Sequence, residues 1–417
     1  VLFGWIRPTA PRRSTDRPFR TPVEQMVVNW RYRHTVLALA IFANFSQFGS
    51  RLVISPVVPQ VIATFNASKS TIGLALTGMW AIYALIQFPS GVLGDRIGER
   101  TVILASLGLM ALGSLLLAGS PTFLLFALFA LLLGAGTGLY FSVASSLLTK
   151  LYRNTGQVLS LHTAGGSLAG LVVPVVAAFL AVRFGWRSAV LLGAAVALPM
   201  FGLSFVLLRR TAPARPDTPM RDRFQPRRVA ALLSRPDVAF TTGISFITTF
   251  SFQSYASFFP TFLIEFHGLS TQSAGVAFGA VFLLSTVVQP FVGRLSDRIS
   301  RDTILTACFL TTVTGLGTVL SAGSILVVAA GVGILGIGMS WFGVLQARLM
   351  DLFEDAERGG GFGLVRTVFI FLGAFGSVVT GTLADVSGWP VAYGTVILIL
   401  AIASVALVVN RLLHLEL

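Results

Sequence analysis

Twelve runs of about twenty predominantly apolar residues, almost free of charged side chains, recur along this 417-residue chain. A run of that length and character is what an α-helix needs to cross a bilayer. Little else can fold from such a pattern. The hydrocarbon offers no water to bond to, so each run must satisfy its own backbone, and the chain reads as an all-α membrane protein. The runs lie near residues 35–63, 71–93, 101–119, 122–149, 157–182 and 187–208, then near 236–264, 271–293, 303–321, 324–349, 361–384 and 390–411. Charged residues make up only 11% of the chain against 54% hydrophobic, where a soluble protein carries about 25% charged. A soluble enzyme, a secreted disulfide scaffold and a disordered protein are all disfavoured. The one cysteine, Cys308, sits among apolar neighbours and supports neither an intrachain disulfide nor a cysteine metal cluster.

A formal charge of +14 raises the question of nucleic acid. The distribution of the basic residues answers it. They collect in the tails and in alternate loops, the pattern that orients a membrane protein with its basic loops in the cytoplasm, and no stretch interleaves them with aromatics as a nucleic-acid platform would. Residues 1–34 are polar and rich in Arg and Pro, with no apolar core of a secretory signal before Met26. They are expected to form a disordered cytoplasmic tail, with Met26 a candidate natural start. Between the sixth and seventh runs, residues 209–235 hold eight Arg and four Pro. This cytoplasmic linker divides an N-terminal half, 35–208, from a C-terminal half, 236–411, and 412–417 is a short cytoplasmic tail.

The two halves repeat one another. A shift of 201–203 residues places Pro59 on Pro260, Gly73 on Gly275, Tyr140-Phe141 on Trp341-Phe342 and Gly185-Trp186 on Gly388-Trp389. Gln87-Phe-Pro-Ser-Gly-Val-Leu-Gly-Asp95-Arg96 falls on Gln289-Pro-Phe-Val-Gly-Arg-Leu-Ser-Asp297-Arg298 in the same way. Two parallel repeats with substrate at their interface is a transporter architecture.

The loop Gly91-Val-Leu-Gly-Asp95-Arg96-Ile-Gly98-Glu99-Arg100 resembles the signature between helices 2 and 3 of the major facilitator superfamily, G-x-x-x-D-R/K-x-G-R/K-R/K, with Glu99 where a base is usual. The second copy keeps Asp297 and Arg298 and loses the glycine to Ser300. The resemblance spans about residues 35–411. It implies twelve transmembrane helices in two six-helix pseudo-symmetric halves, and a gating role for Gly91, Asp95, Arg96, Gly98, Arg100, Asp297 and Arg298. The simpler alternative is a charge cluster that only fixes orientation.

Ionisable groups within the runs are the strongest functional signal, because a bilayer-centred arginine costs between about 2.5 and 17 kcal/mol and survives only beside water or a partner. Arg51 lies midway along the first run, on a helical stripe with Asn44, Gln47 and Ser55. His162 lies early in the fifth run, and the repeat places Arg366 at nearly the matching position of the eleventh. Tyr83, Gln253, Tyr255 and Trp341 are further candidates for substrate contact, each competing with plain helix packing. All sixteen acidic residues fall in tails, loops or helix ends, so the centre is expected to be positive and to attract an anion.

Arg51 eight residues before Pro59, and His162 ahead of Gly165-Gly166, also resemble the organophosphate:phosphate antiporters and related organic-anion transporters. In that group a base on helix 7 completes the site; here the position holds Phe252, which favours a carboxylate over a phosphate ester. The expectation is a secondary transporter of a small organic anion working by alternating access, monomeric, in a cell membrane of prokaryotic type. Its partners are then the substrate, the lipid bilayer and a possible coupling ion, with no nucleic acid and no cofactor or metal. The alternative is a proton-coupled exporter of drugs or hydrophobic metabolites, against which stand the missing buried carboxylate and Leu171 in place of a helix-5 proline. The scattered histidines argue against a membrane enzyme. A flux-less sensor is separable only by measured transport.

Overall fold

The computed structural model describes residues 22–213, 226–353 and 358–415, and they are almost wholly helical. The N-terminal half comprises α1 (Pro22–Leu52), α2 (Val58–Phe65), α3 (Lys69–Ile97), α4 (Glu99–Ala118), α5 (Phe123–Gly138), α6 (Tyr140–Leu151), α7 (Thr155–Phe184) and α8 (Trp186–Leu207). After the short α9 (Pro226–Leu233) come α10 (Pro236–His267), α11 (Thr271–Arg298), α12 (Arg301–Leu320), α13 (Ile325–Gly338), α14 (Phe342–Asp351), α15 (Arg358–Gly373), α16 (Gly376–Val386) and α17 (Trp389–Leu412). The pairs α1–α2, α5–α6, α13–α14 and α15–α16 are each one broken span, which brings the spans to twelve among the described residues.

One sequence expectation needs correcting, and two features add to the reading. The tail is helical from Pro22 onward, because no Pro or Gly interrupts 23–48 and the helix runs on past the apolar stretch; residues 1–21 lie outside the described residues. The linker carries α9, while its 214–225 segment, like 416–417, lies outside them. A third difference concerns polarity. Among the described residues eleven helical stretches are long and apolar enough to cross a membrane, whereas α10 is long enough but rich in Ser and Thr. It tolerates them because it is buried by protein on most sides. Their hydroxyls bond carbonyls one turn back, as in Ser245 to Thr241 at 2.7 Å and Ser254 to Phe250 at 2.9 Å.

The repeat is visible in the backbone. Gly185 and Gly388 adopt the same conformation, φ 82° with ψ 165° and 170°, at the start of α8 and α17. The tryptophan after each packs into an aromatic cluster, Trp186 with Phe65 and Phe126, and Trp389 with Phe262 and Tyr393.

The halves meet through two equivalent contacts, α3 against α16 and α11 against α7. Gly73 and Gly275, partners in the repeat, permit the approach. A Cβ on Gly73 would stand 2.6 Å from the Ser377 carbonyl oxygen, and one on Gly275 would meet Ala178 at 2.5 Å. Thr77 of α3 also mends the break in the eleventh span, donating to the Ala374 carbonyl at 3.0 Å and accepting from the Val378 amide at 3.1 Å. At the end of the molecule away from the linker, the Asp385 carboxylate accepts from the backbone amides of Lys69 and Ser70 at 3.2 and 2.7 Å. It caps the first turn of α3 from the opposite half, where the helix dipole favours negative charge. The Lys69 ammonium pairs with Glu265 at 3.2 Å and Asp385 at 3.7 Å. On the linker side the α7–α11 contact loosens: along α11 from Ser285 to Ile299 only Ser296 is buried, and along α7 from Thr155 to Leu161 only Val158.

Removing the cross-half cap should therefore loosen this closed end. A carboxylate at a helix N-terminus contributes about 1 kcal/mol, so Asp385→Ala is expected to speed maleimide labelling of a Ser377→Cys reporter about fivefold. Cys308 is buried and gives little background. Unchanged labelling would show that the cap does not hold the halves together.

Candidate functional site

Arg51 stands in the last turn of α1 just ahead of the break, which a 3₁₀ turn at Ser55–Val57 and Pro56 impose. Unsatisfied carbonyls at a helix C-terminus favour a cation, and its Nε donates to the Gln47 carbonyl at 3.3 Å. The side chain is only 3% exposed, and Nη1 has no hydrogen-bond partner. Instead its guanidinium lies over three rings, Tyr83 at 3.9 Å, Trp80 at 4.3 Å and Phe48 at 5.5 Å.

A second buried arginine shows what is unusual here. Arg348, 6% exposed, pairs with Asp302 at 2.7 Å and also bonds Thr241, while Asn410 donates to the same carboxylate at 2.7 Å. That network neutralises its charge within the C-terminal half. Among the described residues Arg51 has no such carboxylate; its electrostatic neighbours are Tyr83 and Arg366. Cation–π contacts of up to about 2 kcal/mol each lessen the several kcal/mol that burying a cation costs, but they supply no counter-charge.

Arg366 of α15 comes from the other half to the same place and also interacts with Tyr83. Of the acidic run at 351–357, Asp351 binds Arg301 at 3.3 Å, and 354–357 lie outside the described residues. Its guanidinium stands 4.8 Å from the Phe141 ring, whose other neighbour is the His162 imidazole, stacked at 5.4 Å and 21°. His162 is fully buried with both ring nitrogens unpartnered. The site is thus two cations and an imidazole around Tyr83 and Phe141, at the seam between the halves.

The remaining candidates divide. Asn44 and Gln47 are buried, but each spends its side-chain amide nitrogen as a staple, to the His162 carbonyl at 2.9 Å and the Thr137 carbonyl at 3.2 Å. The stripe read as lining water largely ties the first span to the fifth and fourth. Tyr255 donates to the Phe278 carbonyl at 3.3 Å within the C-terminal half. Gln253 is buried with Oε1 unpartnered. Trp341 lies in the 3₁₀ turn between α13 and α14 with Phe342 as its ring neighbour, apart from the Arg51 cluster. Sequence reasoning missed Phe141 as a site residue and gave Trp80 no particular role. Neither lies on the helix of the arginine it faces, so no local spacing pairs them, and apolar rings in a membrane chain are too common to single out.

Of the gating residues, Gly98 has φ 85° and its absent Cβ leaves room for the Thr211 carbonyl, 2.4 Å from where it would stand. Arg100 ties this turn to the end of α8, donating to the Leu208 and Phe205 carbonyls at 2.8 and 2.6 Å. The unusual Glu99 is buried and pairs with Lys150. Gly91, Asp95 and Arg96 lie in the last turns of α3, ahead of its C-cap Gly98. In the second copy, Asp297 pairs with Arg301, and Arg298 ends α11 exposed.

Comparison with known proteins matches the Major Facilitator Superfamily over residues 40–344 and 241–414. The chain belongs to that superfamily. Among superfamily structures, the bacterial homologue of the human lysosomal transporter Spinster, in its inward-facing and unoccupied conformation, superposes with a TM-score of 0.76 at 15% identity, covering 92% of this chain and 98% of that one. The D-xylose–proton symporter gives 0.74 at 16% identity over 91% and 97%. Among relatives by sequence, the membrane sensor protein UhpC of Escherichia coli is 28% identical over 44% of this chain and 42% of its own length, so less than half of that relative is matched. The nitrite extrusion protein of Bacillus subtilis is 26% identical over 66% and 69%, and the hexuronate transporter of the same organism 21% over 85% and 88%. The major facilitator fold and a multi-pass membrane protein are thereby established.

The Glu99–Lys150 pair yields a test of the loop. Lys150→Met should strand a buried carboxylate and lower stability by about 2 kcal/mol, and adding Glu99→Gln should recover most of it. A double-mutant cycle on Tm checks this; additive losses would mean that the pair is not coupled.

Proposed function

We propose that the protein is a secondary active transporter that carries a small organic anion across a prokaryotic cell membrane by alternating access, with both termini in the cytoplasm. One observation carries the reading: Arg51 and Arg366 converge from opposite halves on one site, and among the described residues neither has a carboxylate partner. An anion between them supplies the missing charge and contacts both halves at once. Substrate binding then favours the state in which the halves close over the site, as alternating access requires. The seam between pseudo-symmetric halves is where such carriers place their substrate. With the basic linker in the cytoplasm, parting on the linker side corresponds to an inward-facing state. Gly98 and Arg100 would order the cytoplasmic loop between α3 and α4 as part of the gate.

The anionic reading agrees with relatives named for nitrite and hexuronate. A multidrug resistance protein, MdtL of Shewanella oneidensis, is also similar, 30% identical over 37% of this chain and 39% of its own length. Proton-coupled export is therefore the competing reading, and the charge at the centre weighs against it.

Proteoliposome flux separates them. Arg51→Gln is expected to reduce uptake or exchange of radiolabelled organic anions by roughly a hundredfold, as loss of a buried charge contact of about 3 kcal/mol would, while Arg51→Lys retains part of it. Proton-driven efflux of a lipophilic cation, indifferent to Arg51→Gln, would establish the exporter instead. Ligand binding without any flux would make the protein a sensor.

A further inference from the structure

The chemistry around the two cations narrows the anion, and this inference rests on the anion reading above. Rings dominate what faces them. Trp80, which stacks on Arg51, meets Phe252 of the other half edge-on at 6.5 Å. Phe48 meets Phe282 across the same seam at 6.1 Å, and Phe252 and Phe282 are 6.4 Å apart. These four rings, two from each half, make an apolar layer beside Arg51, and Phe141 makes a second flat surface beside Arg366. Phe252 occupies the position on the seventh span from which another polar group could have reached the substrate.

The groups that could recognise hydroxyls are mostly committed elsewhere. The Asn44 and Gln47 amide nitrogens bond backbone carbonyls, as do the Tyr140 hydroxyl, to Ala40 at 2.7 Å, and the Tyr255 hydroxyl, to Phe278. Gln87 Nε2, Gln253 Oε1, the His162 nitrogens and, on the first span, Ser46 Oγ and Ser55 Oγ stay unpartnered. Those few groups can serve one extra carbonyl or hydroxyl, but not the ring of hydroxyls on a sugar acid, each of which loses binding energy when taken from water without a partner.

We propose that the substrate is a carboxylate on a flat apolar body, an aryl or arylalkyl carboxylate. The carboxylate sits between Arg51 and Arg366, and the ring enters the layer formed by Phe48, Trp80, Phe252 and Phe282. Aromatic stacking and a charge-assisted pair with each guanidinium then use the unsatisfied features of the site.

The test is competition binding on the purified full chain with radiolabelled phenylacetate as probe. Unlabelled phenylacetate and benzoate should compete at least roughly tenfold better than glucuronate or glucose 6-phosphate, and benzyl alcohol, which has the ring but no charge, should not compete. Phe252→Ala should weaken phenylacetate roughly tenfold, and Phe252→Tyr should keep most of the affinity, which separates a lost ring contact from misfolding. If direct thermal-shift titration shows glucuronate or glucose 6-phosphate binding more tightly than phenylacetate, and Arg51→Gln abolishes that binding, the aryl assignment falls while the anion site stands. If tetraphenylphosphonium stabilises the protein regardless of Arg51→Gln and no anion does, both fall. Absence of phenylacetate binding up to about 10 mM, a Kd at which the contacts invoked would contribute almost nothing, also overturns the assignment.

Discussion

A guanidinium sealed from water, with no carboxylate beside it among the described residues, is the constraint around which the centre of this molecule is arranged. Arg51 can be tolerated because three rings, one of them the polar Tyr83, and the carbonyl end of α1 surround it. Each of those supports needs its own placement. The helix must end there, so the first span breaks at Ser55–Val57. The span must be held in register, and Asn44, Gln47 and the Tyr140 hydroxyl bond backbone carbonyls across three spans to do so. What this arrangement leaves unmet is charge. Arg348, equally buried but paired with Asp302, shows the form that a purely structural arginine takes in the same chain.

The seam between the halves is built differently at different depths. At the end away from the linker it is glycine against backbone, with Gly73 and Gly275 allowing approaches that a Cβ would forbid. At mid-depth it is ring against ring and ring against cation. Toward the linker the halves diverge. Backbone contacts through glycine are short and geometrically demanding, so they suit a surface that either closes fully or opens. Aromatic contacts at 5–6.5 Å tolerate small shifts, which suits a layer that must admit a substrate and then close on it.

Both lysines of the chain do work that an arginine in the neighbouring loops does not. Lys69 joins the halves through Glu265 and Asp385, and Lys150 neutralises the buried Glu99 in the loop after α3. The departure of Glu99 from the family pattern is thus compensated locally, with an ion pair inside one half replacing a base at that position. A compact ammonium on a flexible stem can reach both carboxylates of the opposite half at once, which suits Lys69 at the end where the halves are closed.

The twelve spans, their division into two halves and the repeat between them were legible in the sequence, because hydrophobic length and the placement of arginine answer directly to the bilayer and need no tertiary information. So was the identity of the unusual charges: Arg51, His162 and Arg366 stand out from any apolar background. Partnership was not legible. That Asn44 and Gln47 are staples and that Arg366 lies over Phe141 depend on which helices pack together, and neutral polar side chains have the same periodicity whether they bind backbone or substrate. The convergence of Arg51 and Arg366 from opposite halves, 315 positions apart in the numbering, belongs to the tertiary structure alone. It follows from how the two repeats pack face to face, a geometry that no local spacing in the chain encodes.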